Sequence, residues 1–175
     1  MKDFKFNPFP VLQTERLVLR HLRPDDDNEI FFLRSDERVL KYLVAPKATD
    51  IEDARAFIRK ITKGIEKNEW IYWGICLKDH PKLIGTICFW NIETKHKKAE
   101  IGYVIHPDFQ GKGFMQEAIS KVIQYGFEQM KLHVIEAVLD PDNVPSVKLL
   151  EKNNFVYNKQ EEKTAIYLLK NPLSK

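Results

Sequence analysis

At 175 residues, with 43% apolar and 30% charged side chains, the chain has the length and balance of one globular domain with a sizeable core, read here over residues 1–175. A formal net charge of +3 is too weak to argue for nucleic acid, which selects a clustered basic face. No stretch approaches the roughly 20 apolar residues of a membrane span, and Cys76 and Cys88 lie inside apolar runs, as buried reduced thiols do, rather than in a disulfide framework. Met1-Lys2-Asp3-Phe4 lacks the pattern of a leader, so a cytoplasmic location is the default expectation.

Leu12 to Leu22 alternates well enough for a first strand, with Leu17, Leu19 and His21 on one face. Pro24-Asp25-Asp26-Asp27 then suits a helix start, where acidic charge meets the dipole, and reads as a cap and solvated face. A short helix carries Ile30, Phe31, Leu33 and Arg34, and Glu37 to Leu43 adds a further turn. Thr49 or Asp50 caps a helix over Ile51 to Lys67, whose buried stripe is Ala54, Phe57, Ile58, Ile61 and Ile65. An aromatic strand, Trp70 to Leu77, a turn at Asp79-His80-Pro81-Lys82 and a strand from Leu83 to Trp90 follow, and Lys95-His96-Lys97-Lys98 is a solvated hairpin tip before the strand Ala99 to Ile105.

Beyond His106-Pro107-Asp108-Phe109 the chain reads Gln110-Gly111-Lys112-Gly113-Phe114-Met115. Met115, Ala118, Ile119, Val122, Ile123, Gly126 and Met130 then recur at helical spacing, so the order is strand, glycine-bearing turn, helix. Gly111 and Gly113 permit positive φ and close approach of a ligand. Successive N–H groups in such a turn form an anion nest, the helix start adds unpaired N–H groups and the positive dipole end, and Lys112 adds a cation. A phosphate or pyrophosphate is the expected ligand. A P-loop is excluded because Gly113, not Ser or Thr, follows Lys112, and a dinucleotide fingerprint fails because its last glycine is Gln116 and no acidic strand end follows about 20 residues on. The chain closes with a strand His133 to Leu139, a helix capped by Asn143 with Pro145 in its first turn and running to Asn153-Asn154, and strands Phe155 to Gln160 and Thr164 to Leu169. That order implies an α/β (α+β) fold with a mostly antiparallel sheet.

Five segments in this order resemble the GCN5-related N-acetyltransferase (GNAT) superfamily, in its ribosomal-protein-alanine N-acetyltransferase branch. They are Thr14-Glu15-Arg16-Leu17-Val18-Leu19-Arg20, Ala99-Glu100-Ile101-Gly102-Tyr103, Gln110 to Met115 with Glu117-Ala118, Asn143-Val144-Pro145-Ser146, and Glu151-Lys152-Asn153-Asn154-Phe155. The resemblance implies a splayed central sheet flanked by helices and acetyl-CoA as cosubstrate. It places the pantetheine arm along the backbone of Tyr103, Val104 and Ile105, the pyrophosphate on Gln110, Gly111, Lys112, Gly113, Phe114 and Met115, and Asn143 and Ser146 near pantetheine and thioester. Two positions depart from the pattern: Met115 replaces a small residue, narrowing the space beside the phosphates, and Asn154 replaces a glycine at a helix C-cap, where Asn tolerates the left-handed conformation. A tyrosine that serves some relatives as general acid aligns with Leu150.

Acetyl transfer to an amine needs a base for the ammonium proton, a donor for the thioester oxygen and a proton or hydrogen bond for the leaving thiolate. Glu100 is the candidate base, acting through water, its alternative being a pair with a lysine at the strand edge; Glu136 and Asp140 stand in reserve. A backbone N–H near Val104 is the oxygen donor, and Ser146 serves the thiolate unless it merely bonds its own backbone. His21, His80, His96, His106 and His133 show no ligand spacing, so no metal is expected. The acceptor is a primary amine, either a protein N-terminus or a small molecule such as a polyamine, amino acid or aminoglycoside; no nucleic acid or membrane partner is expected, and the chain is expected as monomer or homodimer. Trp70, Tyr72, Trp73, Phe89 and Trp90 either line an acceptor pocket or fill the core. The rival readings are a non-catalytic acetyl-CoA sensor and a nucleotide-binding domain of dehydrogenase type.

Overall fold

A computed structural model describes residues 4–174; Met1 to Asp3, read above for a leader, lie outside them. Eight strands form one sheet in the order β1-β2-β3-β4-β5-β6-β8-β7: β1 Leu12–Gln13, β2 Leu17–Arg20, β3 Ile71–Leu77, β4 His80–Glu93, β5 Lys98–Ile105, β6 Val134–Leu139, β7 Val156–Glu161 and β8 Thr164–Lys170. Every neighbouring pair is antiparallel except β5 and β6. The helices are α1 Asp27–Ser35, α2 Glu37–Leu40, α3 Ile51–Glu66, α4 Phe114–Glu128 and α5 Val144–Lys152.

Side-chain alternation divides the sheet into two working faces. Trp73 meets Tyr125 of α4 edge-on, and Phe89 packs so closely on α4 that a Cβ at Gly126 would lie 2.9 Å from its ring. With Ile71, Ile75, Ile87, Ala99 and Ile101 these residues make the buried core under α4. Tyr72 instead meets Phe57 of α3. The β3–β4–β5 register sets Tyr72 beside Cys88, Cys88 beside Gly102, Thr86 beside Val104 and Trp90 beside Glu100, so these residues share the α1–α3 face. No helix among the described residues is long and apolar enough to cross a membrane.

Several sequence expectations are corrected. The first strand is broken: Thr14 turns the chain by donating its N–H to the Leu17 carbonyl, which separates β1 from β2. The turn expected at Asp79–Lys82 is the two residues Lys78–Asp79, and β4 already pairs from His80. Trp70 leaves the strand to cover Gly64 of α3, donating its indole N–H to the Ile61 carbonyl at 3.1 Å. The acidic run is no solvated face, because Asp26 and Asp27 are buried and paired with Arg20 and Arg55. Lys98, expected in a solvated tip, pairs with Glu93 and Glu136. Asp50 is the cap of α3, accepting from the Asp53 N–H, while Thr49 donates to the Asp53 carboxylate. Asn154 sits at φ 64°, the left-handed C-cap expected for it.

Candidate active site

The parallel pair β5–β6 keeps register only from Lys98/Val134 to Glu100/Glu136, after which the strands diverge. The gap opens a cavity of about 480 Å³, walled by Ile101–Ile105, by Ala137–Leu139, by the turn before α4 and by the start of α5. Backbone parity decides which groups face it. His106 donates its N–H to the Ile84 carbonyl of β4 at 2.8 Å. Alternation then turns the N–H and C=O of Val104 toward β4 and those of Tyr103 and Ile105 toward the gap. The Val104 N–H, near which a thioester donor is expected, thus points to β4, and the N–H groups that face the gap are those of Tyr103 and Ile105.

At the mouth of the gap, Gly111 and Gly113 both adopt positive φ, 71° and 79°. No side chain caps α4; Gly113 is its N-cap, so the first N–H groups of the helix point outward, as an anion requires. A Cβ at Gly111 would meet nothing within 4 Å, so the outer side of the turn is open. Gln110, Gly111, Gly113, Phe114 and Met115 all line the cavity. Lys112 does not: its ammonium donates to the Asp108 carbonyl at 2.8 Å and braces the turn from behind. Met115 is buried in the core, so its bulk is absorbed there while its edge also borders the cavity.

The turn is held from the far side by Arg16, which entered the sequence reading only as part of a strand motif. Its guanidinium lies 4.4 Å from the centre of the Phe114 ring, donates to the Lys112 carbonyl at 3.1 Å and pairs with Glu117 at 2.8 Å. Glu117 also accepts from the Arg16 N–H and the Thr14 hydroxyl. Burial tends to raise the Glu117 carboxyl, but these donors outweigh it and hold the group below its usual range. The β1–β2 break is thus what fastens the glycine turn.

Inside the gap the Tyr103 and Ser146 hydroxyls are 2.6 Å apart. Asn143 caps α5 by accepting from the Ser146 N–H at 3.4 Å. Burial pushes the Tyr103 phenol up to about 12, so it stays protonated and available as a donor. Leu150 is fully buried, and the phenol beside Ser146 belongs to Tyr103 of β5. Sequence reasoning used Tyr103 only for its backbone; strand parity, which puts its side chain on the α4–α5 face, was the signal that could have found it.

Glu100 stands on the opposite face. Its carboxylate accepts from the Asn91 side chain at 2.9 Å rather than pairing with a lysine, and Glu136 is its direct partner across β5–β6. Burial raises its carboxyl, and Glu136 adds to this, while Asn91 and Lys98 oppose it. Burial also pushes the neighbouring Cys88 thiol up to about 12, which keeps it neutral and inert. Of the aromatics, Trp73 and Phe89 are core, whereas Tyr72 and the exposed Trp90 belong to the face of Glu100. Among the described residues no cluster of three or more His, Cys, Asp or Glu could hold a metal.

The acetyltransferase (GNAT) domain model matches residues 16–156. The chain belongs to the GNAT acetyltransferase family. This GNAT chain is 40% identical over 147 residues to the uncharacterised N-acetyltransferase YoaA of Bacillus subtilis (strain 168), over 84% of its own length and 83% of that protein. The ribosomal-protein-S5-alanine acetyltransferase of Vibrio fischeri superposes with a TM-score of 0.82 at 23% identity, covering 95% of this chain and 99% of its own. The microcin C7 self-immunity acetyltransferase MccE, in complex with acetyl-CoA and AMP, gives a TM-score of 0.80 at 22% identity over 90% of this chain and 94% of its own. Both structural likenesses carry the fold, and with the family match they bear out the expected acyltransferase class and sheet architecture.

Proposed function

We propose that the chain, acting as one domain over residues 1–175, moves the acetyl group of acetyl-CoA to a primary amine by direct attack. The observation that carries this reading is the opening of β5–β6 beside a glycine turn at a helix N-terminus, with the Tyr103 and Ser146 hydroxyls inside the opening. The pyrophosphate would rest on Gln110 to Met115, and the pantetheine amides would bond the gap-facing backbone of Tyr103 and Ile105. Glu100, through water, takes a proton from the acceptor ammonium on the α1–α3 face, and the free amine then attacks the thioester carbon. Ser146, on the α4–α5 face, stabilises or protonates the departing thiolate. The C–N bond forms as the C–S bond breaks, with the electron pair leaving on sulfur. Base and acid would then act from opposite faces of the sheet. The acceptor amine is carried by a protein N-terminus or a small molecule.

Gly113→Val tests the cofactor half. A side chain at φ 79° is strained by roughly 1–2 kcal/mol, and its Cβ would touch the Arg16 guanidinium at 3.4 Å, so the turn should lose part of its shape. Calorimetric titration should show acetyl-CoA affinity reduced at least about tenfold, equivalent to ~1.4 kcal/mol. Unchanged affinity would take the phosphates off this turn. For the transfer half, mass spectrometry of N-terminal peptides, lysine peptides, polyamines, amino acids and aminoglycosides incubated with acetyl-CoA should find one class acetylated; binding without any product would favour the sensor reading.

A further inference from the structure

A second, smaller cavity of about 50 Å³ lies on the α1–α3 face, and it adjoins the main one through Val104 and Leu43, which line both. Its floor is the hydroxyl pair Tyr72 Oη–Thr86 Oγ1 at 3.0 Å, one wall is Phe57, and its single charged lining group is Arg34. Arg34 is set apart from other arginines nearby. Arg20, Arg38 and Arg55 each hold a carboxylate, whereas no carboxylate among the described residues lies within ion-pair distance of Arg34. The Asp53 carboxylate acts on it only at long range and is engaged by the N–H and hydroxyl of Thr49 at 2.8 Å. The Arg34 guanidinium lies 4.0 Å from the centre of the Phe57 ring and makes one long bond, 3.4 Å, to the Pro46 carbonyl. Burial lowers its pKa, with Tyr72 and Asp53 opposing, as for a half-buried cation that holds no carboxylate directly. Such a group is costly unless an anion meets it, and a guanidinium with spare N–H donors fits a planar carboxylate.

The cavity's position then specifies the ligand. Glu100, Gly102 and Val104 alternate onto this same face; Gly102 and Val104 also border the main cavity, and Val104 borders the smaller one beside Arg34, so the proposed base and the cation lie toward the two ends of one line of the sheet. Four residues of strand span roughly 13 Å. An amine placed between Glu100 and Val104 is therefore only a few bonds from a group seated against Arg34. We propose that Arg34, Tyr72 and Thr86 form a subsite for the carboxylate of the acceptor, which is a small primary amine of amino-acid type. The inference rests on the acetyl-transfer reading and narrows it: a polyamine brings no anion to this subsite.

Initial rates with amino acids and the matching carboxamides, at saturating acetyl-CoA, test it. The acid of each pair should be preferred at least about tenfold in kcat/KM, because a site built for a carboxylate leaves its donors unmet by the analogue. Arg34→Gln should erase the preference, chiefly by raising KM for the acids, and Arg34→Lys, which keeps the charge, should restore part of it. Equal use of acids and amides, faster turnover of polyamines or peptides, or an equal loss for acid and amide in Arg34→Gln would overturn the assignment. A wild-type preference for succinyl-CoA over acetyl-CoA that Arg34→Gln abolishes would place the carboxylate on the acyl group and overturn it as well. If no amine is turned over, the acetyl-transfer reading itself fails, and the subsite is judged by melting temperature. Protection by acids but not amides, seen in the wild type and lost in Arg34→Gln, supports it; no such protection overturns it.

Discussion

Glu100→Gln should lower kcat/KM by roughly 10²–10⁴, the range of a positioned general base, while leaving acetyl-CoA affinity nearly unchanged, since the side chain faces away from the channel. The pH profile separates a base from a bystander. Burial, helped by Glu136, raises the Glu100 carboxyl, so the acid limb of the wild-type profile should lie above the ordinary glutamate range. A base works only when ionised, so activity falls as pH drops through that raised value, and the limb should vanish in Glu100→Gln. Glu136→Gln removes a like charge from the position directly opposite. It should therefore move the limb toward lower pH while the plateau rate survives. An unaltered limb in Glu100→Gln would transfer the role elsewhere, with Glu136 the nearest carboxylate.

The largest loss of stability is expected from Asp26→Ala. Asp26 is 4% exposed, receives the Arg20 guanidinium through bonds of 2.8 and 2.7 Å, and caps the turn at Arg23 by accepting its N–H at 2.7 Å. Arg20 also donates to the Pro81 carbonyl at 3.0 Å, so the pair ties β2 to the first residues of β4 and to the start of α1. Removing one partner leaves a buried guanidinium without its carboxylate, at a cost of about 3–5 kcal/mol. Against a total of roughly 5–15 kcal/mol this is a large share. Urea denaturation should show the midpoint displaced accordingly; a change below about 1 kcal/mol would mean that Arg20 finds solvent or another acceptor.

Much of this was legible because it is written in local pattern. The stripe Ala54, Ile58, Ile61 and Ile65 is buried as its spacing required, and the glycines at 111 and 113 take the positive φ that their turn demanded. Asn143 caps α5 and Asn154 enters the left-handed region, each through chemistry that acts within a few residues. What escaped depends on partners distant in sequence. Asp26 and Asp27 look solvated until Arg20 and Arg55 are folded against them. Arg16 looks like a strand residue until α4 arrives beside it, 101 positions later, with Glu117. The Tyr103–Ser146 contact joins residues 43 apart, and the partner of Glu100 is Asn91, a positive-φ residue in the irregular end of β4. The cation of Arg34 was visible in the sequence, but that no carboxylate among the described residues lies within ion-pair distance of it is a property of three dimensions.

The measurement that bears most directly on the central claim is the release of CoA thiol from acetyl-CoA, followed continuously as each acceptor class is added. Acetyl transfer through the β5–β6 opening predicts release that depends on an amine, saturates in both substrates and drops in Glu100→Gln. Acetyl-CoA that binds tightly yet yields no thiol with any amine would contradict it and leave a protein that holds the cosubstrate without using it.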